Sequence, residues 1–219
     1  MTRPAATENP IGGGQMMSVF VNPEMCIGCL QCEFACAVEH SKSRDPFLAL
    51  FEDPQPHTRI HVEPGPVANT SFPNRCRHCS PAPCQQVCPT AAITRNVDLD
   101  LVLVDPGKCI ACAMCAMVCP FDAVTFFPTV NGAPARITAT KCDGCMRRVE
   151  GGEIPACVEA CKVGALVYGE VNEIVALGRL QQAGAVLAAA ASIEVPSEPD
   201  PIEGWRTFGR ELTSVTGSV

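Results

Sequence analysis

The stretch with the densest chemistry is Cys109-Ile-Ala-Cys112-Ala-Met-Cys115-Ala-Met-Val-Cys119-Pro120, four thiols within eleven residues. Thiolates at C-x2-C-x2-C-x3-C spacing are ligands for iron. Three of them, two residues apart, wrap three iron corners of one cubane, and the fourth, followed by proline, leaves the loop to reach a second cluster. The run therefore implies partner runs, and the sequence supplies three. They are Cys26, Cys29, Cys32 and Cys36; then Cys76, Cys79, Cys84 and Cys88 before Pro89; then Cys142, Cys145, Cys157 and Cys161. Ser80-Pro81-Ala82-Pro83 widens the second run by a turn, and a charged, Gly-containing insertion separates Cys145 from Cys157. The four runs use all 16 cysteines and leave none over, which points to four [4Fe-4S] clusters.

Other uses of cysteine fit this spacing poorly. A zinc site takes two C-x2-C pairs held apart by a spacer, whereas Cys26 to Cys36 and Cys109 to Cys119 crowd four ligands into one loop. A radical-forming cluster needs a C-x3-C-x2-C run that leaves one iron open. Here the residues three beyond Cys36, Cys88, Cys119 and Cys161 are Glu39, Ala91, Asp122 and Gly164. Fully ligated clusters pass electrons but offer no vacancy to a substrate, so no catalytic residue is expected. The flanks divide the runs into pairs. Cys88 and Cys119 both precede proline, so the second and third runs read as an inner module, and the first and fourth as an outer one.

Composition agrees with loops wrapped around inorganic centres: 20 Pro and 17 Gly accompany one Trp and one Tyr. The formal charge of −7 falls to about −15 once four clusters are counted, which excludes a nucleic-acid partner because phosphate binding needs a basic face. No uninterrupted apolar stretch is long enough to span a bilayer; the nearest, Ile174 to Ile193, is broken by Arg179, Gln181 and Gln182. The first residues lack the apolar core of a signal peptide, so a reducing cytoplasm is the expected compartment, with export as folded cargo of a signal-bearing partner as the alternative.

Short elements must position these thiols. Residues 1–16 read as a Pro- and Gly-containing arm that includes Gly12-Gly13-Gly14. Met17 to Val21 alternates as a strand leading through Asn22-Pro23 into Cys26, and Val104-Asp105-Pro106-Gly107-Lys108-Cys109 repeats that layout, as duplication of one small unit would produce. Between Cys36 and Cys76 a long Pro-rich connection holds one strand, Arg59 to Glu63, and is long enough to be a docking surface. Hairpins are expected around residues 96–100 and at Asn131-Gly132, and a strand at Ala165 to Tyr168. Glu173 to Ile193, with few breakers except Gly178 and Gly184, reads as one or two helices that either pack on their own domain or dock a partner. Beyond it lies a polar tail with Trp205 and Phe208 as an aromatic anchor. Near the motifs, His40 and His78 are placed to donate hydrogen bonds to sulfur, and Lys108, Lys141, Arg147 and Arg148 either offset cluster charge or are solvated. Met114, Met117 and Met146 are expected as cluster-shielding core.

With these motifs the chain resembles the four-cluster, ferredoxin-like iron-sulfur subunits of molybdenum or tungsten oxidoreductases, formate dehydrogenases, hydrogenases and carbon monoxide dehydrogenases. All sixteen cysteines match over about residues 17–170, and Cys36-Ala-Val-Glu-His-Ser41 is similar to cytoplasmic members. The resemblance implies an α+β fold: duplicated bacterial ferredoxin-like modules, with short hairpins and helices around four clusters. Residues 171–219 would add a C-terminal helical extension and docking tail. It implies one cluster on Cys26, Cys29, Cys32 and Cys161 and its neighbour on Cys142, Cys145, Cys157 and Cys36. In the inner module it implies one on Cys76, Cys79, Cys84 and Cys119 and one on Cys109, Cys112, Cys115 and Cys88. The implied role is non-catalytic transfer of single electrons between a catalytic subunit, first a tungsten or molybdenum aldehyde or formate oxidoreductase, and a second redox partner such as a flavin subunit. Self-association is compatible with it. The alternatives are a carbon monoxide dehydrogenase or hydrogenase subunit, a free-standing polyferredoxin and, last, a zinc-binding interaction module.

Overall fold

A computed structural model of the chain describes residues 16–66, 70–129 and 136–190. Gly12-Gly13-Gly14, Asn131-Gly132, Ile193, Trp205 and Phe208 lie outside the described residues. The strands are β1 (Met17–Val21), β2 (Ile60–Pro64), β3 (Ser71–Arg75), β4 (Ile93–Asn96), β5 (Leu101–Val104), β6 (Thr125–Thr129), β7 (Arg136–Thr140) and β8 (Leu166–Glu170). Between and after them lie the helices α1 (Gln31–Glu39), α2 (Pro83–Gln86), α3 (Met114–Met117), α4 (Met146–Glu150), α5 (Ala156–Ala160) and α6 (Val171–Ala190). This is a mixed α+β arrangement of short antiparallel pairs and small helices, compatible with a ferredoxin-like fold.

The strands form four two-stranded sheets, three of them between sequence neighbours and one between the first and last strands. β1 runs antiparallel to β8, with Met17 opposite Glu170 and Val21 opposite Leu166. The pairing continues past the strand ends, where Asn22 N–H donates to the Ala165 carbonyl (2.8 Å) and Val171 N–H to that of Met16 (3.0 Å). It brings the first cysteine run against the fourth, and α1 packs on α5. Val19, Ile60 and Leu166 bury there beside Cys32, Cys36 and Cys157.

The β4–β5 hairpin organises the second and third runs in the same way. Ile93 faces Val104, and Asp105 N–H donates to the Ala92 carbonyl at 2.7 Å. The two entry turns also match: Asn22 Oδ1 accepts from Glu24 N–H (3.2 Å), and Asp105 Oδ1 accepts from Gly107 N–H (2.8 Å). Side-chain capping of this kind suits short Asx turns. Ile93, Val102 and Val124 form this core with Ala82, Ala92, Ala139, Cys109 and Cys115.

The connection between Cys36 and Cys76 holds two strands, β2 and β3, where the sequence suggested one. α6 is one helix over twenty residues that starts at Val171, and it passes through Gly178 and Gly184 without interruption. A glycine inside a helix costs only about 1 kcal/mol, which its good helix formers offset. Met117 is 80 % exposed and Met114 is also exposed, so these two methionines are not shielded core.

Candidate metal centres

Each cysteine run begins with the same backbone bend. The residue before the second cysteine has positive φ in all four: Gly28 (68°), His78 (50°), Ala111 (56°) and Gly144 (69°). Left-handed residues among right-handed ones make successive N–H groups converge on one point, a concavity suited to an anion. At Gly144 a Cβ would also lie 2.7 Å from Leu101 Cδ2, so that side chain would have to move. The bend recurs after the fourth cysteine at Ala91, Asp122 and Gly164. These are the positions that would carry a cysteine in a radical-forming loop, and here they turn the chain back instead.

The sixteen thiols are all free and gather in four groups. Cys26, Cys29, Cys32 and Cys161 line one cavity. Cys76, Cys79, Cys84 and Cys119 line a second, and Cys88, Cys109, Cys112 and Cys115 a third. In the fourth group Cys157 and Cys145 both have Cys142 and Cys36 as electrostatic neighbours. Each group thus draws three cysteines from one run and one from another.

The groups fit an iron-sulfur cluster on electrostatic grounds. Burial pushes the Cys32 and Cys145 thiols up to about 12 and raises that of Cys157 as well, helped by neighbouring cysteines. Such thiols are neutral unless a cation offsets the lost hydration. Backbone donors surround the sulfurs: Arg59 N–H to Cys36 (3.3 Å), Ala139 N–H to Cys109 (3.4 Å), Gly144 N–H to Cys142 (3.4 Å) and Ala123 N–H to Cys119 (3.5 Å). Ser71 adds a hydroxyl donor to Cys26 Sγ at 3.1 Å. Donors of this kind set the reduction potential of a cluster they touch.

Cys36 behaves differently from Cys32, Cys145 and Cys157. Burial alone would raise it, but hydrogen bonding and charge from His40 outweigh that and lower it. His40 Nδ1 lies 3.6 Å from Cys36 Sγ and 2.7 Å from the Cys36 carbonyl, while Nε2 is 3.0 Å from Asp143 Oδ1. Arg59 closes the network with a 2.6 Å ion pair to Asp143. His40 is raised to about 10: burial opposes the charge, but the hydrogen bonds to Asp143 and Cys36 win. His40, Asp143 and Cys145 offer ligand atoms within 4.8 Å of one another. His40 and Asp143 are already consumed by the hydrogen bonds and ion pair just described, so the cluster of side chains reads as a charge network.

Of the basic residues flagged in the sequence, only Lys141 is buried, at 4 % exposure. Lys108 is exposed and 3.6 Å from Asp105, and Arg147 and Arg148 pair with Glu39 at 2.8 and 3.4 Å. Arg59, Arg75, Ser71 and Asp143 were not singled out by sequence reasoning. Adjacency to a first cysteine (Arg75 before Cys76, Asp143 after Cys142) was the only local signal available, and Lys108 carries the same signal on the surface. Cys29 and Cys112 are the two exposed cysteines. Exposed apolar side chains share the cavity of each: Ile27 and Leu30 with the first, Ile110 and Met114 with the second.

Residues 67–171 match the family described as the 4Fe-4S dicluster domain. Over 154 residues the chain is 40 % identical to an "Iron-sulfur protein" of Rhodospirillum rubrum, covering 68 % of this chain and 79 % of that protein. It is 36 % identical over 165 residues to the "Electron transport protein HydN" of Escherichia coli, covering 71 % and 89 %. With a subunit of tetrathionate reductase from Salmonella typhimurium it shares 33 % over 156 residues, 71 % of this chain and 58 % of that one. No helix among the described residues is long and apolar enough to cross a membrane. The cofactors are [4Fe-4S] clusters, for which sixteen cysteines provide ligands for four. With the cysteine cavities, the family match and the relatives in agreement, the chain belongs to the [4Fe-4S] ferredoxin-like family of electron-transfer iron-sulfur subunits.

Proposed function

We propose that this chain is a non-catalytic subunit that relays single electrons through four [4Fe-4S] clusters between a catalytic oxidoreductase subunit and a second redox partner. The observation that carries the reading is the grouping of sixteen thiols into four sets of four, each drawn from two runs. One cluster is held by Cys26, Cys29, Cys32 and Cys161, and the next by Cys142, Cys145, Cys157 and Cys36. A third is held by Cys76, Cys79, Cys84 and Cys119, and the last by Cys109, Cys112, Cys115 and Cys88. Sharing of ligands makes the first two neighbours and the last two neighbours. Lys141, next to Cys142 and 3.6 Å from Cys76 Sγ, joins the two pairs. The order is therefore linear, with exposed Cys29 and Cys112 at opposite ends.

When bound, the clusters take up and release one electron at a time. The chain holds every iron by thiolate, keeps water from the inner sites and presents apolar rims around Cys29 and Cys112 to redox partners. The outer and inner modules, within residues 17–170, descend from one duplicated unit. The catalytic partner is an oxidoreductase, first a tungsten or molybdenum enzyme acting on an aldehyde or formate, with carbon monoxide dehydrogenase and hydrogenase next. The second partner is a carrier such as a flavin subunit, and the complex works in the cytoplasm. The name of one relative, a reductase subunit, supports service to a larger enzyme.

Protein purified anaerobically from its native cells should carry about sixteen iron and sixteen sulfide per chain, with no zinc, and should bring a catalytic subunit with it. Much less iron removes the four-cluster reading, and a fully loaded monomer without partner makes the chain a free-standing polyferredoxin. The extension after residue 170 is proposed as a docking element, because α6 contacts β8 and leaves Leu177, Leu180, Val186 and Leu187 exposed. A chain ending at Glu170 should retain its iron but fail to co-elute with the catalytic subunit in gel filtration. Unchanged co-elution rejects docking by α6.

A further inference from the structure

Two cations are buried where the outer and inner modules meet. Lys141 and Arg75 are each 4 % exposed, and no ion pair joins either to a carboxylate among the described residues. Lys141 Nζ has three acceptors for its three protons: the Val102 carbonyl, the Cys142 carbonyl (3.1 Å) and Cys76 Sγ (3.6 Å). Arg75 Nη1 donates to the Val19 carbonyl at 2.9 Å, while its Nε is buried without a partner. Arg75 also acts electrostatically on both His78 and Cys157, one from each module. Buried charges persist only where an opposite charge compensates them.

A third group points the same way. His78 lines the cavity of Cys76, Cys79, Cys84 and Cys119 together with Lys141. Its Nδ1 accepts from Val102 N–H at 3.0 Å, so a neutral ring carries its proton on Nε2, and that atom is buried with no acceptor. His78 with its unmet donor, Lys141 and Arg77 line one thiol-lined cavity, and buried Arg75 directly precedes Cys76; together they describe a container for a negative body.

We propose that Lys141 and Arg75 are the internal counter-charges of the cluster held by Cys76, Cys79, Cys84 and Cys119, that the His78 Nε2–H is a hydrogen-bond donor to it, and that together they make it the first of the four to be reduced. Reduction adds one negative charge, which a buried cation stabilises more in the reduced than in the oxidised state. The neighbouring Cys142 group also has cations near it, Arg59 and His40, but both pair with the Asp143 carboxylate, which cancels one of the two charges. At the outer end of the inner module, Arg136 approaches the carbonyls of Pro106, Gly107 and Cys109 from an exposed position, where water screens it. An electron entering from either end would thus come to rest at the module junction. The proposal rests on the four-cluster reading.

The test is a redox titration of the full chain, monitored by electron paramagnetic resonance, with the cluster in question identified as the one altered by Cys79→Ser. In the unaltered protein that cluster should be the first reduced. Lys141→Gln keeps a donor for the carbonyls and removes the charge. It should lower the reduced-to-oxidised ratio of that cluster at least tenfold at fixed potential, 59 mV for one electron, and more than at any other cluster. A smaller shift, an equal shift at all clusters, or a different first-reduced cluster in the unaltered protein overturns the proposal. Should Lys141→Gln fail to load iron, the unaltered chain labelled with [ε-15N]lysine decides instead. Spin-echo modulation from a lysine nitrogen at the first cluster to reduce supports it, and its absence overturns it. Low iron in the unaltered chain would fail the four-cluster reading itself, whereas full iron without the shift fails only this inference.

Discussion

Cys36→Ala is expected to damage the cluster assigned to Cys142, Cys145 and Cys157, although Cys36 belongs by sequence to the first run. Cys32 and Cys36 both lie on α1, one turn apart and both buried. A turn of helix displaces side chains by about 5–6 Å, enough for the two thiols to serve different centres. Cys32 has Cys29 and Cys161 as neighbours, whereas Cys36 has Cys145 and Cys157. The Cys36 sulfur is also the one held by Arg59 N–H and His40. The substitution removes one of four thiolates, and alanine offers no ligand in its place. A three-iron signal or outright loss should appear for that centre, with the Cys26 signal retained. The measurement is electron paramagnetic resonance of the reduced variant together with its iron content. Loss confined to the Cys26 centre would reverse the assignment.

Removal of iron by chelation under reducing conditions should unfold the chain. The described core holds six buried aliphatic side chains larger than alanine: Val19, Ile60, Ile93, Val102, Val124 and Leu166. The rest of it is alanine, buried proline and cysteine, and three of the six fully buried members of the outer core are Cys32, Cys36 and Cys157. Without the clusters those thiols face cavities. Apolar burial then falls short of the backbone entropy that folding must overcome, about 1–2 kcal/mol per residue. The strained bends add to the loss, since Leu30, His78, Ala111, Ala113 and Cys145 hold positive φ at about 1–2 kcal/mol each. Metal binding and folding are linked in such proteins. Far-UV circular dichroism should lose most of its signal, with no cooperative thermal transition left. An iron-free chain that keeps its spectrum and melts sigmoidally would show that the protein carries its own core.

Much of the local structure was legible because it is local. The alternation at Met17 to Val21, the proline turn before Cys26 and the hairpin around residues 96–100 each follow from a few neighbouring residues, and each has its counterpart in β1, the first entry turn and β4–β5. The extent of α6 was less legible, because two internal glycines resemble stop signals when their cost is weighed without the helix formers around them. The shielding role expected of Met114 and Met117 fails because α3 is four residues long and presents both side chains outward.

The sequence by itself determined the cysteine inventory, the local turns and hence the cofactor, because cluster ligation depends on thiol spacing within short loops. It did not distinguish Lys108 from Lys141, each of which directly precedes the first cysteine of a run. Tertiary structure decided that, placing Lys141 after β7 against the β5 carbonyl of Val102, and leaving Lys108 in a solvated turn beside Asp105. It likewise decided the pairing of β1 with β8 and the meeting of His40, Arg59 and Asp143. These contacts join residues far apart in the chain, so their energies depend on how the modules close together, which no window of neighbouring residues records.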